Sequence, residues 1–369
     1  MWQRLLPSLP ADRQDHDETW IDSRNRLSPF PVRVKYGKQL DVLRLKGFSV
    51  ERSRDEAKQL ETSIQAFYSS DDLAQIASCP ACAEELHIGP AESFLIHDIP
   101  YLLCQSCGHG TVATRPSTSA FTQRFTTSEE LSAVYTDRAA GKTRIDEIVS
   151  PKLDWVIEEY RRHFERTPTS FLDVGAGGGH FVQACHDREL GADGYEISQS
   201  SRDFASRTFG INLFSEGFLT GPRTPGLVDI ITFWGLLEYV PSPAEFVLAA
   251  RERLSPENGM LVVEVPRIDS LSTAIQKVFP HQVVRHLDPA SHINVFSDTA
   301  LIELLVRCGF RPIGAWYFGM DIYEFLCQVS VASGSEEFFS HADTFLPSLQ
   351  AMTDRAQLCD DIVVAAVPR

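Results

Sequence analysis

The residues best suited to chemistry begin with a glycine-rich turn. A buried-type apolar run over 171–174 leads into the turn, and an amphipathic pattern follows it. The spacing D-x-G-x-G-x-G is met by Asp173, Gly175, Gly177 and Gly179. Glycine has no Cβ, so the backbone can turn tightly and approach a ligand closely. The dinucleotide pattern G-x-G-x-x-G would need a small residue at His180, so a nicotinamide or flavin dinucleotide site is disfavoured.

A second candidate binding residue is the carboxylate of Glu196. It ends the next predicted strand, about 20 residues after Asp173, which is the usual distance for an acid that reaches a ribose in such folds. A carboxylate can accept hydrogen bonds from both ribose hydroxyls and so fix a nucleoside. The alternative is a surface glutamate in a loop.

The stretch 170–266 resembles the class I, seven-stranded S-adenosylmethionine-dependent methyltransferases. The resemblance rests on the glycine turn, on Glu196, on a fourth-strand segment at 228–241 and on a fifth strand at 259–266. It implies S-adenosylmethionine as cofactor, with the methionine part cradled by the glycine turn. The other cofactor positions that the resemblance implies are Glu196 and Ile197 at the ribose, Gly217 and Phe218 near the adenine, and Phe233 and Trp234 in the pocket wall.

One position departs from that family's pattern. Many members have a histidine after the glutamate of a Leu-Glu-His motif, whereas this chain has Tyr239. An unperturbed tyrosine has a pKa of about 10 and is a poor base at neutral pH. We therefore expect Tyr239 to orient a substrate by a hydrogen bond rather than to remove a proton.

A candidate general base lies in the loop 281–296, which contains His281, His286 and His292. Loops that leave the carboxyl ends of parallel strands border the ligand crevice, and a neutral imidazole accepts protons near pH 7. In the methyltransferases that the chain resembles, a histidine followed by a short aromatic segment and a helix cap lies near the substrate. His292 matches that arrangement and is the first choice; His286 is the second and Tyr239 the third. The alternative is that these histidines only cap or pack the loop.

Two C-x₂-C pairs predict a metal site. Their members are Cys79, Cys82, Cys104 and Cys107. Four thiolates complete a tetrahedral zinc site and leave no position open, so the zinc would be structural. His109 is an alternative ligand with worse spacing, and redox cysteines or disulfides are disfavoured in a cytoplasmic chain. Short modules of this kind also occur in bacterial methyltransferases that act on sugars and natural products, although that resemblance is looser.

The elements that must position these residues follow from hydrophobic periodicity. From residue 170 onward apolar runs alternate with amphipathic helices, which predicts a Rossmann-like α/β fold with a seven-stranded, mostly parallel sheet and helices on both faces. The predicted strands are 170–174, 193–197, 211–214, 228–233, 259–265 and 362–367, and the predicted helices are 179–189, 199–208, 243–254 and 298–308. The predicted units are an N-terminal arm and helical region over 1–78, a zinc-binding β module over 79–116, a helical lead-in over 117–169 and the methyltransferase domain over 170–369.

The composition and charge of the chain restrict the kinds of partner that it can bind. The chain of 369 residues has a net charge of −16, and residues 1–78 contribute none of it because they hold 12 basic and 12 acidic side chains. So acidic a catalytic region disfavours nucleic acid, which proteins bind largely by neutralising phosphates. The sequence shows neither a signal-peptide core nor a membrane-spanning run, so a cytoplasmic location without membrane contact is expected.

The sequence thus favours methyl transfer from S-adenosylmethionine to a small molecule, above all to a hydroxyl of a sugar or secondary metabolite. Two alternatives stay open. One is an RNA-modifying enzyme whose zinc module grips the nucleic acid, and the other is a non-catalytic, cofactor-binding interaction module. The sequence does not fix the oligomeric state.

Overall fold

The structure is a computed structural model, and it describes residues 2–5, 15–22, 24, 27–38, 42–45, 47–69, 73–87, 89, 93–127, 138–221, 226–282 and 286–369. The strands in this part of the chain are β1 (Trp2–Leu5), β2 (His16–Asp22), β3 (Phe30–Tyr36), β4 (Leu73–Gln75), β5 (Ser93–Ile96), β6 (Ile99–Leu103), β7 (Gly110–Val112), β8 (Thr114–Pro116), β9 (Ser170–Val174), β10 (Gly191–Tyr195), β11 (Ile230–Trp234), β12 (Met260–Pro266), β13 (Asn294–Val295), β14 (Phe310–Phe318) and β15 (Asp361–Pro368).

The helices described are α1 (Val42–Leu45), α2 (Val50–Tyr68), α3 (Thr118–Thr127), α4 (Arg138–Arg144), α5 (Ser150–Phe164), α6 (His180–His186), α7 (Gln199–Phe209), α8 (Pro243–Arg251), α9 (Leu271–Val278), α10 (Asp298–Arg307), α11 (Asp321–Ser333) and α12 (Ala342–Arg355). A π-helical turn at Ile145–Val149 joins α4 to α5. Serine side chains cap several N-termini: Ser270 accepts a hydrogen bond from the amide of Thr273 at 3.1 Å, and Ser297 accepts one from Ala300 at 3.0 Å. These caps satisfy amides that have no partner within the helix.

The main sheet of the described chain has the order β1-β2-β3-β14-β15-β12-β11-β9-β10. Strands β10, β9, β11 and β12 are parallel, and β15 runs antiparallel between β12 and β14. Successive residues of a strand pack into different cores: Phe171 and Ile230 lie with α5 and α6, whereas Leu172 and Ile231 lie with α8 and α10. Both faces of the sheet are therefore covered, and the predicted Rossmann-like fold is confirmed.

One predicted strand of this sheet is wrong, and one observed strand was not predicted. The strand expected over 211–214 is reduced to a single bridge between Tyr195 and Phe214. Strand β14, which the sequence analysis did not assign, is fully built into the sheet next to β15. Its sequence mixes a proline and a glycine with aromatic residues, and Pro312 and Gly314 flank a break in its register. Such a run lacks the clean apolar alternation that marks a strand.

The N-terminal segment also differs from the expected arm and helices. Strands β2 and β3 join the main sheet, and β3 runs parallel to β14. Trp20, Phe30, Val32 and Val34 are buried. In β3, Phe30, Val32 and Val34 alternate with exposed or partly exposed residues, which is the period-2 pattern of a half-buried strand. The sequence analysis missed this pattern because charged residues lie between the apolar ones. The helical part of the region expected over 1–78 is present as α1 and α2 in the described residues.

A second, smaller sheet belongs to the cysteine-rich region. Its strand order is β13-β7-β6-β5, and β4 pairs with β8 beside it. Strand β13 comes from the long loop after β12, so the small sheet includes residues of both regions. The cysteine-rich region is thereby attached to the large domain by backbone pairing.

Candidate functional site

The glycine turn follows β9 at the carboxyl end of the parallel strands. Gly175, Gly177 and Gly179 all have positive φ, at 76°, 52° and 76°, a region that favours glycine. The amides of Gly175 and Ala176 each donate to the carbonyl of Tyr195 at 2.9 Å. These bonds tie the turn to the end of β10. A Cβ at Gly175 would lie 3.1 Å from Leu236 Cδ1, so the turn also borders the loop after β11.

Glu196 lies directly beside this turn. Its Oε2 accepts a hydrogen bond from the Gly177 amide and its Oε1 one from the Ser198 amide, both at 2.7 Å. Burial raises the pKa of the Glu196 carboxyl, and these two amide bonds oppose that effect. The carboxylate is thus held in one orientation by backbone donors, which is the pre-organisation that recognition of a small ligand needs.

Asp173 is buried under the turn. Its Oδ1 accepts a hydrogen bond from the Thr232 hydroxyl at 2.7 Å, which joins β9 to β11 below the glycines. Burial, with a smaller contribution from the nearby Glu196, raises the pKa of Asp173 to about 7, and the hydrogen bond from Thr232 opposes this shift. Because Asp173 and Thr232 are register partners, this bond ties the strand that leads into the turn to its neighbour β11.

The structure divides the other expected cofactor positions into two groups. Phe218 and Phe233 are buried, with ring centroids 5.9 Å apart in a T-shaped contact, and belong to the core. Gly217 and Ile197 are only partly buried and lie nearer the surface. Trp234 is partly buried, and its buried Nε1 donor has no hydrogen-bond partner within the described residues. That donor is available to a bound molecule.

The expected acceptor-side residues form one cluster. The ring of His292 lies 4.7 Å from that of Tyr239 and 6.3 Å from that of His286, measured between centroids. Phe125 closes the cluster with its ring 5.4 Å from Tyr239. His281 is not part of it, because its side chain is exposed and lies 3.9 Å from Asp98.

Several polar residues near this cluster were not singled out from the sequence. Glu238 is buried, and burial together with Glu264 and Asp361 raises the pKa of its carboxyl well above the ordinary value. Glu264 forms an ion pair with Lys152. His286 Nε2 lies 3.3 Å from Asp360 Oδ2 and 3.6 Å from Asp361 Oδ1. The sequence signal that could have identified Asp360 and Asp361 is their position directly before the last predicted strand, because that strand borders the fifth strand.

The four predicted metal ligands converge. Cys79 Sγ lies 3.6 Å from Cys107 Sγ, and Cys82 Sγ lies 3.5 Å from Cys104 Sγ. One sulfur atom from each of the four cysteines lies within 4.8 Å of the others. Thiolates bound to zinc at ~2.3 Å in a tetrahedron would be about 3.8 Å apart, so the buried cluster is compatible with zinc.

The alternative ligand, His109, has a different partner. Its Nε2 lies 3.2 Å from Asn294 Oδ1, and burial lowers the pKa of His109 to about 4. Asn294 in turn donates to the carbonyls of Val240 and Leu237, at 2.8 and 3.2 Å. A neutral His109 therefore links the cysteine-rich region to the loop that carries Tyr239.

Further bonds run from the same region to the histidine loop. The Tyr101 hydroxyl donates to the carbonyl of His292 at 2.8 Å, and the Thr111 hydroxyl donates to that of Ile293 at 3.0 Å. The Ser297 hydroxyl donates to the carbonyl of Cys107 at 2.6 Å. The position of His292 is thus set by the cysteine-rich region as much as by the main sheet.

The glycine turn and the acid after β10 lie together, as the resemblance to the class I methyltransferases implied. Residues 148–314 match the family model described as a methyltransferase domain. This part of the chain is therefore similar to methyltransferase domains, as the sequence predicted.

Two curated relatives match part of the chain. Ubiquinone biosynthesis O-methyltransferase, mitochondrial, of Schizosaccharomyces pombe is 22% identical over 170 residues, which are 44% of this chain and 62% of the relative. Ubiquinone biosynthesis O-methyltransferase of Paraburkholderia xenovorans is 28% identical over 111 residues, which are 28% of this chain and 46% of the relative. The chain therefore spans less than two thirds of the length of either relative.

Among solved structures, the plantazolicin methyltransferase BpumL in complex with SAH superposes with a TM-score of 0.44 and 16% identity, over 68% of this chain and 94% of that one. Separately, no helix in the described residues is both long enough and apolar enough to cross a membrane.

Proposed function

We propose that the protein transfers a methyl group from S-adenosylmethionine to a hydroxyl of a small molecule, of the sugar or secondary-metabolite class. The observation that carries the proposal is the short bridge between the two halves of the site. Gly175 meets Leu236, and Leu236 is followed three residues later by Tyr239, whose ring packs on His292. Glu196, a carboxylate placed to bind a ribose, and a cluster that contains two histidines and Tyr239 would thus lie on either side of one turn.

On the cofactor side, Glu196 would accept hydrogen bonds from the ribose hydroxyls, and the turn from Gly175 to Gly179 would leave room for the methionine part. Ile197, Gly217 and Trp234 would contact the same molecule, with Phe218 and Phe233 supporting the wall from the core. S-adenosylmethionine, when bound, supplies an activated methyl group on a sulfonium. The residues of the chain therefore need mainly to hold the acceptor in line with that methyl.

On the acceptor side, His292 would remove the proton of the acceptor hydroxyl as its oxygen bonds to the methyl carbon. Tyr239 would hold that hydroxyl by a hydrogen bond, and His286 is the alternative base. The names of the two curated relatives, both O-methyltransferases, support a hydroxyl acceptor. The cysteine cluster would hold a structural zinc, because all four of its donors are sulfur and it braces the His292 loop.

The proposal is tested by incubating the protein with S-adenosylmethionine and a panel of sugars, phenols, amines and RNA. We expect S-adenosylhomocysteine to accumulate only when the panel member is a hydroxyl compound. That compound should gain the mass of one methylene. Methylation of an amine or of RNA alone would contradict the acceptor class, and binding without any transfer would favour the interaction module.

A further inference from the structure

A single buried residue holds the turn at 237–240. Asn294 is buried, and its Nδ2 donates to the carbonyls of Leu237 and Val240 at 3.2 and 2.8 Å. Its backbone amide donates to the carbonyl of Glu238 at 3.1 Å. Three of the four carbonyls of this turn therefore accept hydrogen bonds from Asn294.

The side-chain amide of Asn294 can make these bonds in one orientation only. A carbonyl oxygen only accepts hydrogen bonds, so the nitrogen of the amide must face Leu237 and Val240. The amide oxygen then faces the ring of His109, whose Nε2 lies 3.2 Å away and must donate. His109 is itself buried, and its ring centroid lies 4.5 Å from that of Phe296. Because a buried polar group without its partner is costly, His109 fixes which way the amide points.

The same turn determines where the Tyr239 ring lies. The Tyr239 amide donates to the carbonyl of Leu236 at 3.0 Å, and the ring contacts that of His292, two residues before Asn294. One short stretch of the chain therefore carries the proposed base and also holds the residue expected to orient the acceptor. The carbonyl of His292 has a separate anchor, the hydroxyl of Tyr101.

We propose that Asn294 is a positioning residue that fixes Tyr239 opposite His292, with His109 of the cysteine-rich region setting the orientation of its amide. Asn294 acts through Tyr239 rather than by contact with the acceptor. The turn cannot shift without leaving buried polar groups unpaired, so the separation of the two rings is narrowly defined. The effect on methyl transfer rests on the proposed function, whereas the hold on the turn does not.

Hydrogen–deuterium exchange of the full chain tests the hold on the turn without any acceptor. Asn294→Asp keeps the shape of the side chain but replaces its donor by an oxygen, so exchange over 236–241 should accelerate by about tenfold or more. Exchange at the glycine turn, 175–179, and the affinity for S-adenosylmethionine should stay near the wild-type values. Asn212→Asp, the same change at an exposed site, is the matched control.

The role of His109 is tested by the same measurement. His109→Leu should accelerate exchange over 236–241, whereas His109→Gln, which retains an N–H donor, should restore most of the protection. His109→Leu should add little to the effect of Asn294→Asp, because residues that act through one chain of hydrogen bonds are not additive. The zinc content of each variant reports whether the cysteine-rich region is still folded.

Kinetics with an acceptor that the wild type methylates separates positioning from a merely structural role. Asn294→Asp should raise the KM for the acceptor, as Tyr239→Phe should, and lower kcat/KM by about tenfold. In a Tyr239→Phe background the same substitution should change kcat/KM by no more than about twofold.

Unchanged exchange over 236–241 in Asn294→Asp would overturn the hold on the turn. Losses of kcat/KM that add fully to those of Tyr239→Phe would overturn the positioning of Tyr239. Either result, together with normal S-adenosylmethionine binding, would leave the proposed methyl transfer intact. A wild type that binds no S-adenosylmethionine would contradict the proposed function, and accelerated exchange in Asn294→Asp would still support the hold on the turn.

Discussion

The ring centroids of His292 and Tyr239 are 4.7 Å apart, so both side chains can reach the same acceptor group. We assign them different roles, one as the general base and one as a hydrogen-bond donor that positions the acceptor. A phenol with an ordinary pKa can donate a hydrogen bond but is a weak base at neutral pH, whereas an imidazole can accept a proton there. Substitution of His292, rather than of Tyr239, should therefore lower the rate of the chemical step.

We expect His292→Ala to lower kcat by about 10²–10⁴-fold, the usual contribution of a general base, and to leave S-adenosylmethionine affinity unchanged. Tyr239→Phe should mainly raise the KM for the acceptor. His341→Ala is the control, because His341 is exposed and precedes α12, outside the histidine loop. Steady-state kinetics with an identified acceptor measures these effects. Full turnover in His292→Ala would move the base to His286 or out of the loop.

Asp173 gives a prediction about pH. Its pKa of about 7 in the folded chain is above the ~3.9 of an unfolded aspartate, so the folded state binds this proton more tightly. Stability contributed by that proton is present at low pH and is lost as the pH rises from about 4 through about 7. Asp173→Asn, which can still accept the Thr232 hydrogen bond, should remove this loss.

The measurement is the melting temperature without cofactor at pH 5 and pH 8. Relative to the wild type, the melting temperature of Asp173→Asn should be higher at pH 8 than at pH 5. Asp187→Asn, an exposed aspartate, should show no such change. A pH-independent difference for Asp173→Asn would show that its carboxyl is ionised throughout.

At the level of residues, the sequence could identify groups with a spacing rule and missed those without one. Glu196 follows a glycine turn at a typical distance, so its place was predictable. Asp361 is brought beside Pro266 by the pairing of β12 with β15, two strands that are far apart in sequence. Asn294 is similar, because its link to His109 depends on how two regions dock.

The cysteine-rich element has a larger role than a separate module would. Strand β13 from the histidine loop pairs with β7, and Tyr101, Thr111 and His109 all contact residues 292–294. Any loss of order in this small sheet would be transmitted to His292. We expect the folding of this element to depend on bound zinc, as the folding of small metal-binding modules does.

We therefore expect about one zinc per chain, and Cys104→Ser should reduce the zinc content, the melting temperature and kcat while S-adenosylmethionine binding changes less. The reason is that the glycine turn is held by β9 and β10, outside the cysteine-rich region. Elemental analysis, thermal melting and kinetics test this. Cys327→Ser, which changes a buried cysteine outside the four-cysteine cluster, is the control. Zinc-free wild type with full activity would contradict the structural role.

Among the elements, strands with unbroken apolar runs were predictable, and irregular ones were not. Strands β11 and β12 are apolar on both faces and were expected within two residues of their observed bounds. Strand β14 contains Pro312 and Gly314, and β2 alternates apolar residues with charged ones. Both form strands because neighbouring strands of the sheet supply their hydrogen bonds.

For the whole molecule, the fold places two candidate binding regions along one edge of the sheet. The glycine turn follows β9, Glu196 follows β10, the Tyr239 loop follows β11, and β15 begins beside the end of β12. Ligands of open α/β sheets bind at this carboxyl edge, so the class of fold alone predicts where a cofactor and an acceptor would meet. The extension of the sheet by β1–β3 lies on the far side, next to β14.

The central claim is that this edge binds S-adenosylmethionine through Glu196, and calorimetric titration tests it most directly. We expect saturable, one-to-one binding to the wild type and more than tenfold weaker binding to Glu196→Ala, since lost charge-assisted hydrogen bonds cost about 1.5–3 kcal/mol each. Asp203→Ala, which removes an acid from the following helix α7, should bind as the wild type does. Equal affinity of Glu196→Ala and wild type, or no binding to the wild type, would contradict the account.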